Sequence, residues 1–500
     1  MSLVKRNIFA NLIGGALLTA LTVIITPLQI NILGMESYGI VGFISTLQIA
    51  FTAFDLGLSS TITRELAVDN TKNKEGSTEL LRTASTVFWS TAVVIGALVA
   101  SLSGEIATGW FKAQTVDVQL IAQSLQVIAL YLALRWPVSL YTGVLIGLQR
   151  MDLLNAVKVV TASLRLIGGV FVLMHWRTLN SFLIWTAINA LIEVISFWLI
   201  CRWAHPSLPW RPGISLPDLR RVWRFSLTMN GLAIMTVLVV QADRLLVSKL
   251  LPLEALGAYT LAYTAAAIIP ALIGAISTAV LPHFTEAYGA GNRDMLARRY
   301  DTASRFMMFV TGMVTGCLVF FGEHLLVLWV NPNAAGAAAV SLALLAIGFF
   351  GSAAASNAYQ LTVASSQANL ALRISILTAL PYVAVLYALI SWLGVAGAAL
   401  AWLLLNLGYV VFLVPQVHRK ILQIPFTPYI LKILAPFGLL VCCTFGLARL
   451  IMDTRPLMSP IGVAIFACTL AVYTLLGYFL LGQELRSSFR IFLHRIKYSI

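Results

Sequence analysis

The chain has 500 residues, of which 59% are hydrophobic and only 10% are charged. Soluble globular proteins carry about 25% charged residues, so this composition excludes a chain whose surface mostly faces water. The formal net charge of +14 would suggest nucleic acid as a partner of a soluble protein. Here the bases lie between hydrophobic runs, which indicates membrane orientation instead, and we expect no nucleic-acid partner.

Apolar runs of about 20 residues recur along the whole chain, and each can cross a hydrocarbon core about 30 Å thick. They are continuously apolar rather than alternating, which favours helices over strands. The sequence therefore predicts an all-α polytopic membrane protein with about fourteen transmembrane helices. The predicted spans are 8–33, 38–62, 84–104, 118–146, 153–174, 181–201, 222–250, 255–281, 304–322, 337–362, 371–392, 395–416, 430–451 and 460–482.

The basic residues orient these spans. With the N-terminus in the cytoplasm, most of the 33 Lys and Arg residues fall on the cytoplasmic side, as the positive-inside rule requires. We expect a multi-pass protein of the bacterial cytoplasmic (inner) membrane with both termini inside. The first apolar run is too long for a cleavable signal peptide and begins a spanning segment.

Two parts of the chain resemble each other. The segment Leu33-Gly-Met-Glu-Ser-Tyr-Gly39 is similar to Leu251-Pro-Leu-Glu-Ala-Leu-Gly257, 218 residues later, and Trp185 matches Trp402 at an offset of 217. Chance similarity among apolar segments is the alternative, but several matches occur in the same order. Six spans per repeat keep both copies in the same orientation. We predict an N-terminal six-helix lobe (1–212), a C-terminal six-helix lobe (213–420), and an extra helix pair with a basic cytoplasmic tail (421–500).

Charged residues inside the spans are the candidates for function, because burying a charge in hydrocarbon costs at least about 2.5–3.5 kcal/mol. Arg135, Arg165 and Glu193 fall in the middle third of spans four, five and six, so they lie at similar depth. Lys158 precedes Arg165 by seven residues, on nearly the same helix face. Six charges stand out in all: Asp55, Arg135, Arg165, Glu193, Asp243 and Arg244.

Polar neighbours extend these positions along their helices. Trp185, Asn189 and Glu193 recur at i, i+4 and i+8 on span six, and Gln241 shares a face with Arg244 on span seven. Such stripes are typical of helices that line a cavity.

A purely structural interpretation stays open. The six charges sum to zero, so each arginine could pair with a carboxylate and brace helices. Asp243 and Arg244 are adjacent and point about 100° apart, so we do not expect them to pair with each other. Asp55 lies near the cytoplasmic end of span two, where local hydrogen bonding explains it as well as ligand binding does.

Motifs of enzymes and cofactor proteins are absent. The sequence contains no GxxxxGK[ST] loop and no HExxH, and its six histidines form no metal-spaced cluster. The five cysteines lie in apolar runs, with neither metal-ligand spacing nor a disulfide framework. No loop is long enough for an active site outside the membrane. We expect a protein that is not an enzyme and binds no cofactor or metal.

Three segments carry a resemblance to a known family. They are FDLGLSSTITRELA at the end of span two, TGVLIGLQRMDLLN after span four, and QADRLLVSKLLPLEALGAYTLAY across spans seven and eight. Together with fourteen spans in two repeats, they are similar to the Wzx-type polysaccharide flippases of the MOP exporter superfamily. The resemblance implies that undecaprenyl-diphosphate-linked repeat units of O-antigen or exopolysaccharide move from the inner to the outer leaflet by alternating access.

The resemblance and the buried charges suggest one site hypothesis. The diphosphate-sugar head is bound by Arg135, Arg165, Arg244, Lys158 and Gln241. The carboxylates Asp55, Glu193 and Asp243 tune the charge of the site or couple transport to H+ or Na+. The expected partners are the lipid-linked oligosaccharide and membrane lipid, with a polysaccharide polymerase and a chain-length regulator as further candidates.

Three other functions stay open. A cation-coupled multidrug antiporter of the same superfamily would need carboxylates to dominate its cavity, which the equal number of arginines disfavours. A peptidoglycan-precursor flippase would share fold and mechanism. A membrane scaffold for polysaccharide synthesis would leave the interior charges without a role.

Overall fold

In the computed structural model, the described residues are 21–53, 58–69, 74–206, 213, 215, 237, 239–452, 457–483 and 485–487. Within these ranges the chain is almost entirely helical and forms no β-strand, although an isolated β-bridge joins Lys112 and Pro252. Helices are expected because a backbone in hydrocarbon has to satisfy its own hydrogen bonds. The all-α prediction is confirmed.

The chain forms two compact units, Met1–Gly257 and Ala258–Ile500. The helices that begin in the first unit are α1 (Leu21–Leu33), α2 (Met35–Ala53), α3 (Leu58–Asp69), α4 (Lys74–Ser101), α5 (Ser103–Gly109), α6 (Val118–Arg135), α7 (Val138–Gly147), α8 (Met151–Trp176), α9 (Leu179–Ala204), α10 (helical over 239–250) and α11 (Leu253–Ala266).

The second unit continues with longer helices. They are α12 (Ile268–Gly289), α13 (Arg293–Trp329), α14 (Pro332–Ala364), α15 (Ala368–Leu393), α16 (Val395–Val417) with a π-turn (His418–Leu422), α17 (Thr427–Tyr429) with a π-turn (Ile430–Leu434), α18 (Ala435–Met452) and α19 (Pro460–Leu480). The predicted lobe boundaries at 212 and 420 stay predictions.

Eleven helical segments of the described chain are long and apolar enough to cross a membrane. In order, they coincide with predicted spans three to six and eight to fourteen. Predicted spans one, two and seven each include residues outside the described ranges; α1 lies in span one and α2 in span two. Large apolar side chains cover the outside, for example Trp392 and Leu380, which are 88% and 76% exposed. This surface faces lipid, and the protein is a multi-pass membrane protein.

Backbone geometry supports the internal repeat. Four residues with positive φ flank α8 and α15: Gln149 (56°) and Arg177 (53°) in one copy, Ser366 (57°) and Gly394 (59°) in the other. Gln149 and Ser366 are 217 residues apart, and so are Arg177 and Gly394. Both helices contain 26 residues. Positive φ is uncommon outside glycine, so this coincidence fixes the register of the repeat at 217 in this part of the chain.

The two copies differ in one helix. Span four is broken into α6 and α7 by Pro137, which has no N–H for the carbonyl of Ala133. After the break, the Ser139 N–H donates to the Trp136 carbonyl at 3.3 Å. The residue 217 positions later is Ala354, and α14 continues through it without interruption. The break places Arg135 at the C-terminal end of α6, where the helix dipole favours a cation.

The two glycines of the repeated heptapeptide pack reciprocally. A Cβ on Gly39 would lie 2.4 Å from the carbonyl oxygen of Leu253, and a Cβ on Gly257 would lie 2.1 Å from that of Met35. Met35 and Leu253 are themselves 218 residues apart, so the contact has local two-fold symmetry. Only glycine lets the two backbones approach this closely.

We expect Gly257→Ala to destabilise the protein, because its Cβ would meet backbone atoms that cannot move aside. Overpacking of this kind costs about 1–3 kcal/mol. Thermal unfolding in detergent should show a lower midpoint for this variant. The matched control is Gly274→Ala, whose Cβ would have no neighbour within 4 Å. Equal midpoints for the two variants would contradict the prediction.

Candidate functional site

A cavity of about 240 Å³ lies among the helices of the first unit. Its wall combines polar and aromatic side chains from α2, the α6–α7 break and α8. The polar and aromatic members include Gln48, Arg135, Trp136, Ser139, Thr142 and Lys158. Most of these residues come from predicted membrane spans, so their polar groups need a structural or functional explanation.

Arg135 lies at the centre of a chain of hydrogen bonds. One guanidinium nitrogen donates to the Glu193 carboxylate at 3.2 Å, and another donates to the Tyr131 hydroxyl at 3.2 Å. The Tyr131 hydroxyl donates to the side-chain carbonyl of Gln48 at 2.5 Å. A guanidinium has five N–H donors, and the Arg135 side chain is still 23% exposed. Arg135 therefore braces α9 and also presents donors to the cavity.

Lys158 supplies the second cation of the wall. It reaches the cavity from α8 and interacts electrostatically with both Glu193 and Arg135. Among the described residues, the wall contains these two cations and no carboxylate; Glu193 pairs with Arg135 but is not part of the wall. The cavity is therefore suited to an anion.

The second repeat does not duplicate this cluster. At an offset of 217, the counterparts of Arg135, Lys158 and Glu193 are Ser352, Ser375 and Val410. At these three positions, charged side chains therefore occur in the first repeat and not in the second.

Arg165 lies outside this cavity wall. Its backbone carbonyl accepts a hydrogen bond from the Trp185 indole at 3.0 Å, and the Asn189 amide donates to the Thr161 carbonyl at 3.1 Å. Trp185 also packs against Gly168, where a Cβ would lie 2.0 Å from the ring. Two members of the predicted polar stripe on span six therefore fasten α9 to α8.

The polar residues of α10 are buried together. The Asp243 carboxylate accepts the backbone N–H of Arg244 at 2.7 Å, and the Arg244 guanidinium donates to the Gln241 side chain at 3.3 Å. Gln241 and Arg244, which share a helix face, are therefore hydrogen-bonded to each other. Asp55 lies outside the described residues.

The sequence analysis did not predict that the loop 109–116 forms several hydrogen bonds with Glu36. The Glu36 carboxylate accepts the backbone N–H groups of Gln114 (2.7 Å), Thr115 (2.8 Å) and Val116 (3.2 Å), and also the Thr115 hydroxyl. The position of Glu36 in the repeated heptapeptide was the available signal.

The other side of the same loop is tied to the end of α10. Trp110 donates from its indole to the Ser248 hydroxyl at 3.0 Å, and Lys112 donates to the Leu250 carbonyl at 2.7 Å. Lys249 donates back to the Gly109 carbonyl at 2.6 Å. The loop therefore joins the start of α2 to the end of α10.

The hydrogen bonds of Glu36 should make the stability of the folded protein depend on pH. Burial acts to raise the pKa of Glu36, but hydrogen bonds from Thr115, Gln114 and Val116 outweigh it and hold the pKa below its ordinary value of 4.5. The ionised carboxylate therefore stabilises the fold above the unfolded-state pKa, and this contribution is lost as the pH falls through the folded-state pKa.

We expect Glu36→Gln to lower the unfolding temperature at neutral pH. The difference from wild type should shrink as the pH falls below about 4.5, and thermal scans between pH 7 and pH 3 measure it. Glu254→Gln is the control, because Glu254 is the exposed counterpart 218 residues later. A Glu36 variant whose deficit is independent of pH would refute this role.

The chain matches two known protein families. The family described as "Polysaccharide biosynthesis protein" matches residues 4–288, more than half of the chain. The protein belongs to this polysaccharide biosynthesis family. The MatE family matches residues 232–389. This family member is also 24% identical, over 416 residues, to a "Putative O-antigen transporter" of Shigella flexneri, covering 80% of this chain and 94% of that protein.

Solved structures share the fold of this family member. The lipid II flippase MurJ in an inward closed conformation matches with a TM-score of 0.72 at 13% identity, covering 93% of this chain and 98% of that one. An inward-facing multidrug resistance MATE transporter of the MOP superfamily matches with a TM-score of 0.64 at 14% identity, covering 81% and 94%. The relatives are transporters and flippases rather than enzymes, and the chain is a transporter of the MOP superfamily.

Proposed function

We propose that this transporter is a flippase for undecaprenyl-diphosphate-linked oligosaccharide repeat units. It moves them from the inner to the outer leaflet of the cytoplasmic membrane by alternating access, with both of its termini in the cytoplasm. The observation that carries the proposal is the cavity with Arg135 and Lys158 in its wall and, among the described residues, no carboxylate there. The O-antigen transporter named among the relatives supports the class of substrate.

The chemistry of the wall fits a diphosphate followed by a sugar. The planar guanidinium of Arg135 can hold two phosphate oxygens at once, and Lys158 adds a point charge. Gln48, Ser139 and Thr142 offer hydrogen bonds to sugar hydroxyls. Ligand pockets usually measure about 300–1,000 Å³. A cavity of about 240 Å³ is smaller, so it accommodates the diphosphate-sugar head that adjoins the lipid but not the whole repeat unit.

The remaining predicted residues keep their roles as part of the proposal. We assign Arg165, Arg244 and Gln241 to further contacts along the path of the head, because polar groups in spans are costly unless they are used. Asp55 and Asp243 stay candidates for coupling. A polysaccharide polymerase and a chain-length regulator are the proposed protein partners.

Glu193 offers a route for coupling to protons. Its carboxylate holds one donor of Arg135 at 3.2 Å. Protonation would neutralise the carboxylate and release the guanidinium for the diphosphate, whereas proton loss would restore the ion pair and expel the head. Transport into proteoliposomes should therefore respond to a proton gradient. A response to a sodium gradient alone would assign Na+ as the coupling ion and remove this role of Glu193.

A deletion strain tests the function as a whole. We expect lipid-linked repeat units to accumulate in the cytoplasmic leaflet and surface polysaccharide to disappear, with both restored by the wild-type gene. Drug hypersensitivity with normal polysaccharide would identify an antiporter. Accumulation of peptidoglycan precursors would identify the other flippase. Normal leaflet distribution with mislocalised synthesis enzymes would identify a scaffold.

A further inference from the structure

A second polar pocket, of about 440 Å³, lies in the second unit between the start of α15 and the end of α16. Its wall includes two cations, Arg373 and Lys420, which are both exposed. Uncharged polar side chains complete it: Ser366, Gln367, Asn369 and Gln416. In the predicted orientation this pocket faces the cytoplasm.

The pocket contains uncompensated positive charge. No acidic residue is part of its described wall. Other arginines of the same unit do have acidic partners, such as Arg299 with Glu286 at 2.8 Å and Arg305 with Asp301 at 2.7 Å. Two cations that share a wall without an acid favour an anion between them.

The backbone adds to this preference. The pocket includes the first turn of α15, which begins at Ala368 and contains Asn369. The N–H of Leu370 in this turn already donates to the Gln367 carbonyl at 2.9 Å, but the positive end of the helix dipole still favours an anion here. Lys420 lies in the π-turn His418–Leu422, a local geometry that is frequent at functional sites.

An apolar strip leads out of the pocket along α15. Leu370, Ile374 and Leu377 line the same pocket at helical spacing. Leu377 is 64% exposed and Leu380, one turn beyond, is 76% exposed. The strip therefore continues onto the surface that faces lipid, so that a ligand with an anionic head and a hydrocarbon chain fits both parts.

The first repeat provides an internal comparison. At an offset of 217, Gln367 and Asn369 correspond to Arg150 and Asp152. Arg150 pairs there with Asp152 at 3.2 Å, so the charge at that position is compensated within the protein. In the second repeat the acid is replaced by its neutral amide.

The cations of the pocket are also specific to the second repeat. Lys420 corresponds to Trp203, on whose ring Arg150 lies at 5.6 Å, and Arg373 corresponds to Ala156. At these positions the first repeat therefore has an arginine that contacts Asp152 and Trp203. The second repeat has two cations in the wall of an open pocket.

We propose that this pocket binds the phosphate of an anionic glycerophospholipid from the cytoplasmic leaflet, with one acyl chain along the α15 strip. The head is held by Arg373, Lys420 and the first turn of α15. The binding does not depend on which substrate the protein transports. It fits the general finding that basic pockets between membrane helices bind anionic lipid heads.

Native mass spectrometry of the full-length protein in neutral detergent tests the proposal, with phosphatidylglycerol as probe and phosphatidylcholine as comparison. We expect tighter binding of phosphatidylglycerol. Each cation near an anionic lipid contributes about fivefold in affinity, so Arg373→Gln and Lys420→Gln together should weaken binding about 25-fold. Arg419→Gln is the matched control, because Arg419 is exposed and does not line the pocket.

Asn369→Asp is the sharper variant, since it restores the acid of the first repeat with almost no change in size. It should weaken phosphatidylglycerol binding about fivefold while the lipid-free protein keeps its unfolding temperature. Equal binding of the two lipids, or unchanged binding by the folded Asn369→Asp variant, would overturn the proposal. Inorganic phosphate that competes at the same concentration as the lipid would show a site for a soluble anion instead.

Discussion

Replacing Arg135 and Glu193 together by glutamine should strongly reduce transport at low substrate and leave the protein folded. Removal of one member of a buried ion pair leaves an uncompensated charge and costs about 3–5 kcal/mol. The double replacement leaves two neutral groups that can still hydrogen-bond, so stability should return. Transport should not return, because loss of a charged contact to the diphosphate costs about 2–5 kcal/mol of binding, a decrease of roughly thirtyfold or more at low substrate.

Flux of a fluorescent lipid-linked oligosaccharide into proteoliposomes measures this outcome, with unfolding temperatures taken on the same preparations. Arg177→Gln serves as the control, since Arg177 is an exposed residue at the end of α8. A pair that only braces α6 against α9 makes the opposite prediction: the double variant would transport normally. That result would exclude Arg135 as a ligand for the head.

Lys158→Met should reduce transport at low substrate by about tenfold, which corresponds to about 1.4 kcal/mol of binding. The methionine keeps most of the apolar stem and removes only the charge, so the unfolding temperature should be preserved. Lys158→Arg keeps the charge and should retain most of the flux.

The salt dependence of transport provides a second test of Lys158. A cation that attracts a diphosphate loses part of its effect when salt screens it, so wild-type flux at low substrate should fall with ionic strength more steeply than that of Lys158→Met. Equal flux of Lys158→Met and wild type would remove Lys158 from the site.

The sequence predicts a depth for each buried charge but not its partners. Hydropathy predicts that Arg135 and Glu193 lie near mid-membrane, because their distances from the ends of the predicted spans follow from a constant rise per residue. The 3.2 Å contact between them also depends on how α6 and α9 are rotated and packed. That information lies in contacts between residues 58 positions apart, which one sequence does not reveal.

Arg165 is a second residue whose contacts the sequence did not predict. Its predicted depth is the same as that of Arg135, and the sequence predicts that Trp185 belongs to a polar stripe on span six. In the structure the Trp185 indole donates to the Arg165 carbonyl at 3.0 Å, so this tryptophan packs α9 on α8. A polar atom at helical spacing predicts a hydrogen bond, but it does not say whether the acceptor is a ligand or a neighbouring backbone.

Gln48 and Tyr131 were missed because neither stands out from its surroundings in hydropathy. Tyrosine is common in membrane helices near the interface, and a single glutamine has no partner visible in the sequence. Their contact at 2.5 Å appears only when α2 and α6 are placed side by side.

The 217-residue repeat means that the chain contains two related segments whose side chains differ at equivalent positions. Under the proposed function, recognition of a different sugar would require changes around Arg135, whose counterpart in the other copy is Ser352. Under the proposed lipid site, a change in the lipid that is bound would involve Arg373, whose counterpart in the first copy is Ala156. The two proposals together predict that substitutions around Arg135 change substrate binding without changing lipid binding, and that substitutions around Arg373 do the reverse.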